Sequence, residues 1–325
     1  MTVQIVAPSH SDLARAARHL RAGDLVAFPT ETVYGLGADA ANPDAVRRIF
    51  AAKGRPAAHP LIVHLPGMEQ VEQWARDIPE GARRLAAAFW PGPLTLILPR
   101  AAHVPDVVTG GQDSVGLRVP SHPIARELLA LFSAAGGSGI AAPSANRFGH
   151  VSPTTARHVA DDLGDAVSVI IDGGACDVGI ESTIVAFTGD APVLMRPGAI
   201  SVEELARVLG TMPRAPGADA PRASGTLESH YAPRTPARIV APANLARESV
   251  RPGESPAVLA RSVPRPAGFT GMWIDAPEEV RAYAHDLYAN LRALDRAGAG
   301  SILVEEVPLE SRWLAVRDRL ARAAH

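Results

Sequence analysis

Apolar positions along roughly the first 210 residues follow two rhythms: short, nearly continuous apolar runs, and longer stretches in which apolar residues recur with helical spacing. The short runs predict strands at 3–6, 25–28, 61–65, 94–98, 115–119, 140–142, 167–171, 183–187 and 193–195. The longer stretches predict helices at 12–21, 44–52, 80–89, 122–134, 154–163 and 202–209. In the second of these, Val46, Ile49 and Phe50 share the buried face. Local punctuation supports the limits. Gly23 stops the first helix. Asn42-Pro43 supplies an N-cap and a proline at the first helical position, and Lys53-Gly54-Arg55-Pro56 ends the same helix. Ser152-Pro153 reads as another cap-plus-proline start, and Pro29 to Gly37 as a polar loop.

So many strands with intervening helices predict one large α/β sheet domain over 1–210. Residues 211–224 mix proline, glycine, alanine and arginine without apolar periodicity, which predicts a linker. With His230-Tyr231 that linker extends over 211–236. Alternation returns over 237–325, with strands at 238–240, 257–260, 272–274 and 301–304 and helices at 277–295 and 311–322. This predicts a small Rossmann-like carboxy-terminal domain, although no glycine-rich phosphate fingerprint is present.

Composition narrows the function classes. Of 325 residues, 47% are hydrophobic and the net charge is −2, so no global field draws in a polyanion. That disfavours a chain whose main task is gripping nucleic acid. The single cysteine, Cys176, excludes an internal disulfide and a multi-cysteine zinc site. No apolar run approaches the ~18 residues that cross a bilayer, and no basic-then-apolar leader is visible, so the expectation is a cytoplasmic protein without a membrane partner. Lysine and arginine total 32, yet only Lys53 is a lysine. A lysine kept amid such arginine bias is a candidate for a role that the wide guanidinium fork does not fill, with chance survival as the alternative.

Several clusters could carry chemistry. Pro29-Thr30-Glu31-Thr32-Val33-Tyr34-Gly35-Leu36-Gly37 brings hydroxyls, a carboxylate and glycines to the end of a buried strand. An ordinary strand-to-helix connection reads the same way. Lys53 and Arg55 suit phosphate oxygens, and equally suit compensation of the helix macrodipole. Ser144 and Asn146 follow the strand at 140–142, well placed for a ligand at a sheet edge. Arg118, and Arg196 after it, sit at apolar strands where an arginine is costly without an anionic partner. There is no Gly-x-Ser-x-Gly elbow, and His59 and His64 lack a zincin spacing.

In order along one chain these clusters resemble the YrdC/Sua5 family. The resemblance rests on Phe28 to Gly37, Lys53-Gly-Arg-Pro56, Pro60-Leu-Ile-Val-His64, Pro91-Gly-Pro-Leu-Thr-Leu96 and Gly116-Leu-Arg-Val-Pro120. It continues through Ala142-Pro-Ser-Ala-Asn146, Asp172-Gly-Gly174, Glu181-Ser-Thr183 and Arg196-Pro-Gly198. His230-Tyr231-Ala232-Pro233 and the further domain look like the long Sua5 form. The resemblance implies a large twisted mixed-sheet domain and L-threonylcarbamoyladenylate synthase activity. Such enzymes are nucleotidyltransferases that join L-threonine, bicarbonate and ATP, giving threonylcarbamoyl-AMP and pyrophosphate for t6A modification of tRNA. Carried over by position, Lys53, Arg55, His59, Ser114, Ser144, Ser152, Arg196 and Tyr231 would bind ATP. Thr32, His64, Arg118, Ala142 and Ser182 would hold threonine, and Asn146 would shape the pocket. Lys53 and Arg55 would act as an electrostatic clamp. Mg2+ would arrive with the triphosphate, and the product would pass to a tRNA threonylcarbamoyltransferase, with weak or no direct binding of tRNA here. His59 stands where the family often has asparagine, and Ser224-Gly-Thr-Leu-Glu-Ser-His230 lacks the basic residues of some relatives. Three rivals remain at this stage: an RNA-binding module, a hydrogenase-maturation carbamoyltransferase, whose zinc-finger cysteines are missing, and a regulatory protein that kept the fold.

Overall fold

The computed structural model describes residues 4–227, 230–251 and 253–324. Residue 3, the first of the strand predicted at 3–6, lies outside them. Ten strands form one twisted mixed sheet: β1 (Gln4–Val6), β2 (Val26–Phe28), β3 (Gly35–Asp39), β4 (Ile62–His64), β5 (Leu94–Pro99), β6 (Ser114–Arg118), β7 (Ile140–Ala141), β8 (Val169–Ile171), β9 (Thr183–Ala186) and β10 (Val193–Arg196). Their order across the sheet is β1-β8-β2-β3-β7-β4-β6-β5-β9-β10. Helices α1 (His10–Arg21), α2 (Pro43–Lys53), α3 (Glu80–Phe89), α4 (Asp106–Thr109), α5 (Pro123–Ala134), α6 (Ala156–Leu163) and α7 (Val202–Leu209) complete this part.

The apolar faces explain the layering. Ala45, Val46, Ile49 and Phe50 of α2 join Leu36, Val63, Leu96 and Leu117 in one core. Leu13, Ala16, Ala17 and Leu20 of α1 pack with α5 and with Phe28 and Ile140 in a second core. Caps mark the helix ends. Asn42 Oδ1 accepts from the amides of Asp44 and Ala45, and Gly54 ends α2 in the left-handed region at φ 63°.

Two expectations need correcting. The predicted loop from Pro29 to Gly37 closes a hairpin, for β3 begins at Gly35 and pairs antiparallel with β2. Thr30 makes the turn: its hydroxyl donates to the Val33 carbonyl and accepts from the amides of Thr32 and Val33. Gly37 is required in β3 because a Cβ there would stand 2.8 Å from the Phe28 ring and 2.9 Å from Ile140. The second correction concerns Ser152, which does not cap a helix. Thr155 caps α6, its side chain accepting from the His158 amide.

The second sheet has four strands, all parallel: β11 (Ala237–Val240), β12 (Ala257–Ala260), β13 (Trp273–Asp275) and β14 (Ile302–Glu305), in the order β11-β14-β12-β13. A Rossmann-like arrangement is therefore present. The helices here are α8 (Pro242–Ser249), which the apolar pattern did not predict, α9 (Val280–Asp295) and α10 (Leu314–Ala323). Helices α9 and α10 supply Tyr283, Leu287, Tyr288, Leu291, Val316 and Leu320 to a core that also takes in Val33, Val151, Ile180 and Tyr231. The second sheet and its helices thus share buried surface with loops of the first part. No helix among the described residues is long and apolar enough to cross a membrane.

Candidate active site

A pocket opens where several strand ends meet. Thr30, Thr32 and Val33 come from the β2–β3 turn, His64 from β4, Arg118 from β6 and Ala142, Pro143 and Ser144 from the segment after β7. Glu181 and Ser182 precede β9, Arg196 ends β10, and Arg55 follows α2. Ser224, Gly225, His230 and Tyr231 of the linker close the remaining side. The sheet register makes part of this convergence automatic, since His64 lies opposite Arg118 across the β4–β6 pair.

One end holds the strand arginine. Arg118 Nη2 lies 2.8 Å from Glu31 Oε1, at an angle that leaves both atoms, and Arg118 Nε, without a hydrogen bond. Glu31 accepts instead from the Ser121 amide at 3.2 Å. Next to the pair, burial and then Arg118 pull the His64 imidazole down to about 3, keeping it neutral. Its Nδ1 has no partner among the described residues. Ser182 completes this end, its hydroxyl 2.8 Å from that of Thr95.

The other end holds Arg55 and Arg196. Arg55 Nη2 donates to the Pro60 carbonyl at 2.9 Å and to Ser224 Oγ at 3.3 Å. Burial, and after it Arg196, lower its pKa to about 10. Arg196 donates through Nε and Nη2 to the carbonyl and hydroxyl of Ser182, and through Nη1 to the Ser224 carbonyl. All of these partners are neutral. Ser224 therefore sits between the two guanidinium groups.

Not every expected residue lines this pocket. Lys53 Nζ is turned to the carbonyls of Ser144 and Asn146, at 2.5 Å each, and burial followed by Arg55 hold the ammonium well below the usual lysine range. Asn146 Nδ2 donates to the carbonyls of Arg147 and His150 and fixes the loop. Half-buried His59 packs edge-on against Phe148, with ring centroids 5.3 Å apart. Ser114 lines a smaller neighbouring cleft with Pro60, Gln112 and Ser224. The Ser152 hydroxyl donates to Glu181 Oε1 at 2.5 Å.

Sequence reasoning gave no role to Glu31, Glu181, Phe148 or Ser224. Glu31 and Glu181 stand inside motifs already singled out, and a carboxylate within an apolar stretch is itself a signal. Phe148 has the Arg55 guanidinium over its ring at 5.9 Å and His230 at 6.2 Å, and it carried no comparable signal.

Comparison with known proteins identifies the family. Residues 18–198 match the Sua5/YciO/YrdC family, described as telomere recombination, and residues 200–325 match the family described as threonylcarbamoyl-AMP synthase, C-terminal domain. The chain belongs to the Sua5/YrdC family. Within it, the presence of both parts marks the long Sua5 type. The threonylcarbamoyl-AMP synthase of Pyrococcus abyssi is 44% identical over 322 residues, covering 95% of this chain and 93% of its own. That of Bacillus subtilis is 39% identical over 326 residues, covering 96% and 92%. The crystal structure of P. abyssi Sua5 complexed with L-threonine matches with a TM-score of 0.91 at 40% identity, over 99% of this chain and 98% of that one.

Proposed function

We propose that this chain is an L-threonylcarbamoyladenylate synthase, making threonylcarbamoyl-AMP and pyrophosphate from L-threonine, bicarbonate and ATP. The observation that carries the reading is the division of one pocket into two arginine-lined ends, the first of them paired with Glu31. At one end Arg118 keeps unused donors beside a neutral imidazole, suited to an amino acid's carboxylate and amine. At the other, Arg55 and Arg196 have, among the described residues, only neutral hydrogen-bond partners, suited to a polyphosphate. The P. abyssi Sua5 complexed with L-threonine, similar over almost the whole chain, supports threonine as one substrate.

In this reading Arg118 takes the threonine carboxylate, while Thr32, His64, Ser182 and the Ala142 backbone surround the rest of the molecule. Arg55, Ser144 and Arg196 take phosphates, Lys53 and Asn146 hold the 144–146 loop behind them, and Tyr231 covers the nucleotide. Ser224 would yield its place between the arginines to phosphate oxygens. The amine of threonine attacks the bicarbonate carbon, losing water and leaving N-carboxy-threonine. Its carboxylate oxygen then attacks the α-phosphorus, and the bond to pyrophosphate breaks. No covalent enzyme intermediate is needed, so catalysis is positioning and charge stabilisation. Mg2+ would come with the nucleotide and supply charge neutralisation at the phosphates. The adenylate then serves as the activated donor for a tRNA threonylcarbamoyltransferase in t6A formation.

The test is incorporation of labelled bicarbonate into a threonine adduct with matching pyrophosphate release. Dependence on all three substrates is expected. Salt-sensitive tRNA binding without ATP turnover would overturn the reading.

A further inference from the structure

The carboxy-terminal part has no assigned role, yet two of its side chains end on residues that line the pocket. Arg319 of α10 is fully buried. Its Nε donates to Glu181 Oε2 at 2.9 Å and its Nη2 to the Glu181 carbonyl at 3.4 Å, while Nη1 is held by Asp318 at 2.6 Å. Tyr288 of α9 donates to the same Glu181 Oε2 at 2.8 Å. Ser152 occupies the other carboxylate oxygen. Burial opposes ionisation of Glu181, but Arg319 and Arg196, with the Ser152 hydrogen bond, hold its pKa down to about 2. Glu181 is followed directly by Ser182, the residue that Arg196 grips with two donors.

The same helices hold the linker. The Arg319 guanidinium lies 5.3 Å from the centroid of the Tyr231 ring, and Tyr288 packs on that ring at 5.6 Å. Tyr231 has φ 62°, a left-handed conformation costly for a bulky residue and kept only where the surroundings over-determine it. Arg322 of α10 donates to the Leu227 carbonyl, and its own carbonyl accepts from the His230 amide at 3.2 Å. Arg292 of α9 grips the Val151 carbonyl at 2.5 Å and Asp162 at 2.6 Å.

A buried ion pair adds little stability over apolar side chains of the same volume, so plain docking of two parts does not call for one. A charge network does fix geometry, and this one ends on pocket-lining residues. We propose that the carboxy-terminal part is a positioning device for the active site. Arg319 and Tyr288, acting through Glu181 and Tyr231, set the phosphate end of the pocket and keep the linker closed. This rests on the synthase reading for its kinetic consequence, but not for its structural one.

The experiment uses the full chain with Tyr288→Phe, Arg319→Lys and Arg319→Met. Two readouts are taken: KM for ATP and for threonine in pyrophosphate release, and hydrogen exchange at 223–227 and 230–232 without substrates. Expected are a rise of about tenfold in KM for ATP in Arg319→Met, a smaller rise in KM for threonine passed on through Ser182, partial rescue in Arg319→Lys, and faster linker exchange in all three variants. Should Arg319→Met fail to fold, the two conservative variants decide. Parental ATP KM and parental linker exchange in folded Tyr288→Phe and Arg319→Lys overturn the proposal, as does an equal loss towards both substrates. Absence of threonine-dependent turnover in the parent would sink the synthase reading instead, and the exchange readout would still decide this one.

Discussion

At the scale of single residues, Lys53 shows what burial does to a charged group. The residue is only 3% exposed and its ammonium fits between two carbonyls. That narrow slot explains why a compact point charge is kept in a chain where arginine otherwise replaces lysine. Burial and Arg55 both disfavour its charge, and an arriving triphosphate would oppose both. Lys53→Ala is expected to cut threonine-dependent pyrophosphate release by about 100-fold or more, measured at saturating ATP and threonine. Near-parental turnover would remove Lys53 from the machinery. Lys53→Arg should also lose most activity, because a planar fork does not fit the carbonyl slot. The strand arginines were the most legible site residues, since an arginine in an apolar run demands a partner. For Arg118 that partner is Glu31, in the β2–β3 turn. For Arg196 no ion-pair partner is found among the described residues, and its hydrogen bonds go to serines. What no single motif could show is that the Ser152 hydroxyl is spent on Glu181, because the two are 29 positions apart and meet only through the fold.

At the scale of elements, legibility followed local chemistry. Helix α2 was read to within a residue at each end because its signals are local: Asn42 accepts two amides, Pro43 starts the helix and Gly54 turns out of it. Strand β3 was missed because Gly35-Leu36-Gly37-Ala38-Asp39 has no β-branched residue. Its extended form is imposed by β2 on one side and β7 on the other. Helix α8 was missed for a related reason: Leu245 is its one fully buried apolar residue, too few to show a period. The capping argument has a measurable consequence. Asn42→Ala should cost about 1 kcal/mol in urea unfolding, while Asn42→Asp should cost less. Turnover of the folded protein should stay near the parent's in both, because Lys53 lies at the opposite end of the helix.

At the scale of the whole molecule, the pocket is lined by the first part and the linker, and α9 and α10 pack behind two of its lining residues, Glu181 and Tyr231, so it depends on how closely the two parts approach. Gly179 measures that approach. It has φ +78°, and a Cβ there would stand 2.3 Å from the His285 carbonyl of α9. Gly174, at φ +80° with open space around it, supplies the control. Both alanine variants carry the left-handed backbone penalty, so the excess loss in Gly179→Ala, expected at about 1–3 kcal/mol, reports the contact between the two parts. Equal losses would mean that α9 gives way freely. Acid acts on the same assembly. Burial pulls His64 and His230 down to about 3 from an ordinary 6.5. Between those values the unfolded chain binds protons that the folded one does not, so stability is full above pH 6.5 and falls as the pH drops. Well below 6.5 each imidazole contributes a slope of about 1.4 kcal/mol per pH unit. Glu181, lowered from 4.5 to about 2, contributes stability that is present above 4.5 and lost towards 2. All three terms have the same sign, so thermal midpoints should fall steadily from pH 7 to pH 4. His230→Gln isolates one of them. It should lower stability at pH 7 by removing ring packing against Tyr231 and Phe148, yet flatten the dependence between pH 6.5 and 4. A variant that keeps the parental slope would show that the linker histidine is already solvated and that the pocket is not closed over it.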